Sequence, residues 1–163
     1  MSMSVILVPL SETQFEVLQK DPFDAFSFVH DEAAGELTTG SLRIPSVFVQ
    51  LSDVLDSTDA KQQAGFMAGD MVGGDDPMAA IEAFEGCPPN LHDTKKVQAL
   101  SELISSVDHA EFAKRYEKWL EAGTEEGRRV AEQSELVEHL QPLKEFFSTA
   151  AKQKHRVLVW MDF

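Results

Sequence analysis

Two short apolar runs at opposite ends of the chain set the strongest limit on its fold. Residues 4–8, SVILV, are apolar and mostly β-branched, and they stop at Pro9, which predicts a buried strand ending at a turn. Residues 156–163, RVLVWMDF, alternate: Val157, Val159 and Met161 fall on one face, Leu158 and Trp160 on the other. The two runs are expected to be neighbours in one small sheet, with the segments between them packed on it.

Those segments read mainly as helices. Ser11 and Gln14 have capping-box spacing, and Phe15, Val17 and Leu18 give a short apolar face, so a helix is expected over about 12–20, ending before Pro22. Phe23, Phe26 and Val29 suggest a second short helix, followed by a loop to Gly40. The run VFVQLSDVL at 47–55 suits either helix or strand. Pro45 at its start, with Phe48, Leu51 and Leu55 at helical steps, favours helix. Gly73-Gly74 marks a tight turn, and Asp76-Pro77 reads as a helix start, a capping carboxylate followed by proline in the first turn. That helix carries Ile81 and Phe84 inward and stops at Gly86 and Pro88-Pro89.

Past residue 90 the periodicity is plainer. Asp93 or Thr94 caps a helix bearing Val97, Leu100, Leu103, Ile104 and Val107. Asp108, with Glu111 three residues on, opens another that buries Phe112, Tyr116, Trp119 and Leu120 and stops at Gly123. Ser134 opens a longer one carrying Leu136, Leu140, Leu143, Phe147 and Ala151, in which Pro142 predicts a kink or a fresh start. Strands at both ends and helices between them predict an α+β fold: one helix-rich domain over 1–163, with a small sheet that includes both terminal strands.

Composition limits the function classes. With 43% hydrophobic and 26% charged residues, the chain has the make-up of a globular protein. No segment approaches the roughly 18 apolar residues of a membrane span. VILVPL is too short and lacks the basic flank of a signal peptide, and a single cysteine, Cys87, rules out an internal disulfide. A bacterial-type cytoplasmic protein is expected. The net charge of −14 is unevenly spread: residues 1–90 hold 15 acidic against 3 basic residues, and residues 91–163 hold 13 against 11. This excess argues against nucleic acid and anionic membranes as partners and suits a basic protein, whose approach it would steer.

Motifs for catalysis are lacking. His30, His92, His109, His139 and His155 include no HExxH pair, and the neighbours His30-Asp31, His92-Asp93 and Asp108-His109 project in different directions on a helix. Cys87 follows a predicted helix C-terminus, where the dipole does not stabilise a thiolate. Gly73-Gly74 lacks the lysine of a phosphate loop, and Asp70, Asp75 and Asp76 would repel a phosphate there. The same three acids lack the ligand spacing of a calcium loop. Phe112, Tyr116 and Trp119 are expected in the core, because Glu111, Glu117 and Glu121 offset the lysines and arginine a stacking platform needs. Neither a catalytic residue, a metal ligand nor a cofactor is assigned.

Met1 and Met3, Val72 to Gly74, Gly86 with Pro88 and Leu91, the helix pair DTKKVQALSELISSVDHAEFAKRY, and the tail LVEHLQPLKEFFSTAAKQKHRVLVW follow one another along the chain. In that order they resemble the bacterial YfbM-like family of small single-domain proteins of unknown function. The segment IPSVFVQLSDVL departs from the family pattern, having neither its tryptophan nor its histidine. The resemblance implies an α+β fold and carries over no catalytic residue. Two functions are therefore expected. The first is a non-enzymatic acidic protein-binding domain, in its sharpest form an immunity protein neutralising a basic toxin. Its docking surface is Asp53, Asp56, Asp59, Asp70, Asp75, Asp76, Glu82 and Glu85. The alternative is a small-ligand binder or enzyme with a pocket near the first-half helices, using His30 and His92.

Overall fold

The computed structural model describes residues 3–20, 40–56, 76–77, 90–123 and 129–162. The two terminal strands meet as expected. β1 (Ser4–Leu10) and β5 (Arg156–Asp162) pair antiparallel along their whole length, from Ser4 opposite Asp162 to Leu10 opposite Arg156. β2 (Leu42–Ile44) flanks β1, while β4 (Asn90–His92) flanks β5 and is itself flanked by β3 (Asp76–Pro77). The sheet order is β2-β1-β5-β4-β3, with every pairing antiparallel.

Two proline readings are corrected here. β1 does not stop at Pro9 but continues through it to Leu10. β2 covers β1 only at Val5, Ile6 and Leu7, so Pro9 lies where β5 alone runs alongside, a place that tolerates a residue without an N–H. Asp76-Pro77 is not a helix start. It is a two-residue edge strand, with Asp76 opposite Leu91 and Pro77 opposite Asn90. An edge is where a sheet accepts proline. The second short helix expected from Phe23 to Glu32, the Gly73-Gly74 turn, the helix expected after residue 77 and Cys87 lie outside the described residues.

Register divides the sheet into two buried faces. Val5, Leu7, Val157 and Val159, with Ile44, enter the main core. Ile6, Val8, Leu10 and Leu158 point to the opposite face and are buried there, together with Leu91 and Leu18. A continuous apolar run, rather than strict alternation, is what a strand covered on both sides requires.

Five helices are described. α1 (Glu12–Lys20) opens on a reciprocal capping box. The Ser11 amide donates to Gln14 Oε1 at 2.9 Å, and the Gln14 amide donates to Ser11 Oγ at 3.2 Å. Its apolar face is narrower than expected: Leu18 is buried, but Val17 is 49% exposed. Phe15 instead lies beneath the Arg156 guanidinium, 3.8 Å from its ring centroid. α2 (Phe48–Asp56) settles the ambiguous run as helix, with Phe48, Leu51, Val54 and Leu55 buried.

α3 (Thr94–Ser105) is capped by Asp93, which accepts from the Lys96 amide at 2.7 Å; α4 (His109–Glu121) is capped in the same way by Asp108, which accepts from the Glu111 amide at 2.7 Å. Gly123 follows α4 with φ +87°, the left-handed turn expected of it, while Leu120 is 41% exposed rather than buried. α5 (Gln133–Lys152) runs unbroken through Pro142, so the proline does not start a new helix. Leu136, Leu140, Leu143 and Phe147 are buried as expected, joined by Phe146 and Ala150.

One side chain ties the two halves of the chain together. Gln50 on α2 donates from Nε2 to the Arg129 carbonyl at 3.0 Å, and its Oε1 accepts from the Ala131 amide at 2.8 Å. The pair fixes the segment that enters α5. Gln50→Ala is expected to lower stability by about 1 kcal/mol, the net worth of such bonds at a part-exposed site. Urea unfolding checks this: the midpoint falls with an unchanged slope, whereas an unmoved midpoint would mean that water replaces both bonds.

Candidate functional site

Among the described residues a groove of about 710 Å³ lies where the second half of α5 passes the sheet edge formed by β1 and β2. Pro142, Glu145, Phe146 and Thr149 recur along α5 at steps of three and four, so one stripe of the helix forms one wall. Pro9 and the capped start of α1, with Ser11, Thr13 and Gln14, form the facing wall. Gly40, Ser41 and Leu42, entering β2, supply another side. Gly40 has φ +106°, and a Cβ there would sit 3.4 Å from Pro9 Cγ, so this corner needs glycine.

The α5–β5 turn closes the end of the groove. Lys154 takes φ +54°, and the His155 amide donates to the Ala150 carbonyl at 2.9 Å, which turns the chain from helix into strand. This brings Gln153 and His155 to the groove. His155 Nδ1 is buried and makes no hydrogen bond among the described residues. The floor is apolar, with Phe146 and Ala150 buried. Hydroxyl and amide groups are spread around it, and among the described residues Glu145 is the one carboxylate and neither lysine nor arginine lines it. Such a lining suits binding through an apolar body and a few hydrogen bonds.

The residues selected from sequence fall elsewhere. Asp53 is half-buried in α2, Asp56 ends that helix, and Asp76 lies in β3. Asp59, Asp70, Asp75, Glu82, Glu85 and His30 are outside the described residues. His92 is 1% exposed within β4, in register with Val157 and Pro9, and it does not line the groove. His109 is exposed at the start of α4 and His139 half-buried on α5. Among the described residues His155 is thus the one histidine at the groove, and nothing in its sequence neighbourhood marked it, because its groove partners are far away in the chain. Among the described residues no three His, Cys, Asp or Glu side chains converge as metal ligands, and no helix is long and apolar enough to cross a membrane.

A helix-rich α+β domain whose sheet joins both ends of the chain is the class that this fold and groove define. The sequence profile of a family described as "Domain of unknown function (DUF1877)" matches residues 1–160, and the chain belongs to that family. Among solved structures it is similar to YfbM from Escherichia coli, a protein of unknown function. The TM-score is 0.63 at 13% identity, over 98% of this chain and 99% of that one. At that identity the likeness concerns the fold alone. It agrees with the YfbM-like resemblance carried by the sequence. No curated protein matches the chain.

Proposed function

We propose that this is a non-enzymatic, cytoplasmic protein-binding domain that docks a basic protein, with neutralisation of a basic toxin as the sharpest form of that role. One observation carries the reading: the charge is segregated, with 15 acidic against 3 basic residues up to position 90 and near balance beyond it. A surface of one sign accelerates encounter with a partner of the other and disfavours polyanions.

The placement of the acids on α2 supports it. Asp53 and Asp56 fall in the last turn of α2, within the acidic half of the chain, and that turn itself contains no basic residue.

Affinity capture from the native cell with the whole chain, compared with a variant carrying Asp→Asn at 53, 56, 59 and 70, tests the reading. The expected result is one basic protein retained at low salt, released as screening increases, and lost with the variant. Capture that is indifferent to salt and to these four charges would overturn it.

A further inference from the structure

We propose that the groove between α5 and the β1–α1 junction is a binding site for a small organic cation, an ammonium or guanidinium carried on an apolar stem. The site is separate from the acidic docking surface and does not depend on it. Pro9, Leu42, Pro142, Phe146 and Ala150 supply its apolar lining. Its volume of about 710 Å³ is in the range of small-molecule sites.

Three features select a cation. Among the described residues no lysine or arginine lines the groove, so those residues offer an anion no counter-charge in exchange for its desolvation. Glu145 stands on the α5 wall, one turn beyond Pro142, and its Oε1 accepts only a neutral amide bond, from Gln141 Nε2 at 3.0 Å, which leaves its charge uncompensated by that partner. Pro142 has no N–H, so the carbonyl of Glu138, one turn before it on the helix face that Pro142 brings to the groove, lacks its usual helix donor. The freed carbonyl calls for a hydrogen-bond donor, the carboxylate for one that carries positive charge, and the apolar floor for a stem. Three α5 carbonyls at the closed end are already used: the amides of Gln153, Lys154 and His155 donate to Thr149, Ala151 and Ala150. The acceptors therefore lie toward Pro142 and Glu145, and the cation is placed at that end with its stem directed toward Phe146 and Ala150.

Three probes of one size separate charge from shape: phenethylamine, phenethyl alcohol and 3-phenylpropionate. Titrated into the isotope-labelled full chain, phenethylamine is expected to give saturable amide shifts at Gly40, Ser41, Thr149 and Gln153, with a Kd on the order of 1 mM. The alcohol is expected to bind about 3-fold more weakly and the acid about 10-fold more weakly, the scale of one charge-assisted contact. Glu145→Gln brings the amine down to the level of the alcohol. Thr149→Trp, at an exposed helix position that the fold tolerates, fills the groove and removes all three responses while the far-ultraviolet circular dichroism stays unchanged. The proposal is overturned if no probe gives saturable shifts at about 10 mM. It is also overturned if the acid matches the amine, or if the amine shifts persist in Thr149→Trp. Partner capture by the acidic half is read separately, so either result stands without the other.

Discussion

Arg115→Met is expected to destabilise the protein by about 2–3 kcal/mol, the most damaging single substitution predicted for its polar groups. Arg115 projects from α4 with its side chain only 13% exposed, and its Nη1 donates to the Leu55 carbonyl at 2.6 Å. That carbonyl belongs to the last turn of α2, where no helix amide remains to meet it and where the helix dipole is negative. The guanidinium therefore caps the helix end, offsets its dipole and joins α2 to α4 across 60 residues of sequence. Its second bond, from Nε to Glu111 Oε1 at 3.0 Å, has a partner 37% exposed and contributes at most about 1 kcal/mol. The two contributions separate experimentally. Glu111→Gln is expected to lower the unfolding midpoint slightly, and Arg115→Met several times more, with methionine retaining most of the buried stem. Equal losses from the two substitutions would assign the effect to the ion pair and refute the capping role.

Legibility in the sequence followed the distance over which each structural rule acts. The Ser11–Gln14 box and the Asp93 and Asp108 caps depend on residues three apart, and all three appear with the expected bonds. The β1–β5 pairing is long-range but was legible because both partners announce themselves as apolar runs. Proline misled wherever tertiary context decides. Pro9 sits in a strand because β2 ends short of it, and Pro77 in an edge strand because Asn90 lies opposite. Asn90–His92 has three residues, too few to show a period, so β4 was not foreseen. Burial of Leu158 together with Val157 and Val159 reflects cover on both faces of the sheet, which alternation along one strand does not reveal. The groove was the least legible feature. Its walls come from the end of β1, the start of α1, the entry to β2 and the far half of α5, so no contiguous motif encodes it.

Pro142 gives the second large prediction, and its sign is opposite. Pro142→Ala is expected to stabilise the fold by about 2 kcal/mol. A proline in a helix interior costs roughly 3 kcal/mol relative to alanine, through the lost bond to the preceding turn and the clash with its carbonyl. Removing it also frees the unfolded chain, which returns about 1 kcal/mol of that gain. Pro142 is exposed and lies ten residues into a helix of twenty, so alanine meets no packing penalty and restores the N–H that the Glu138 carbonyl lacks. Thermal and urea unfolding should both show the increase. A midpoint that stays put or falls would mean that α5 is already bent to suit the proline. The substitution also bears on the groove, because occupying the Glu138 carbonyl with a helix bond withdraws one of the two acceptors assigned to a bound cation. Greater stability together with weaker phenethylamine binding is therefore the expected joint outcome. It would explain why a residue so unfavourable to the longest described helix occupies the one wall of the groove that this helix supplies.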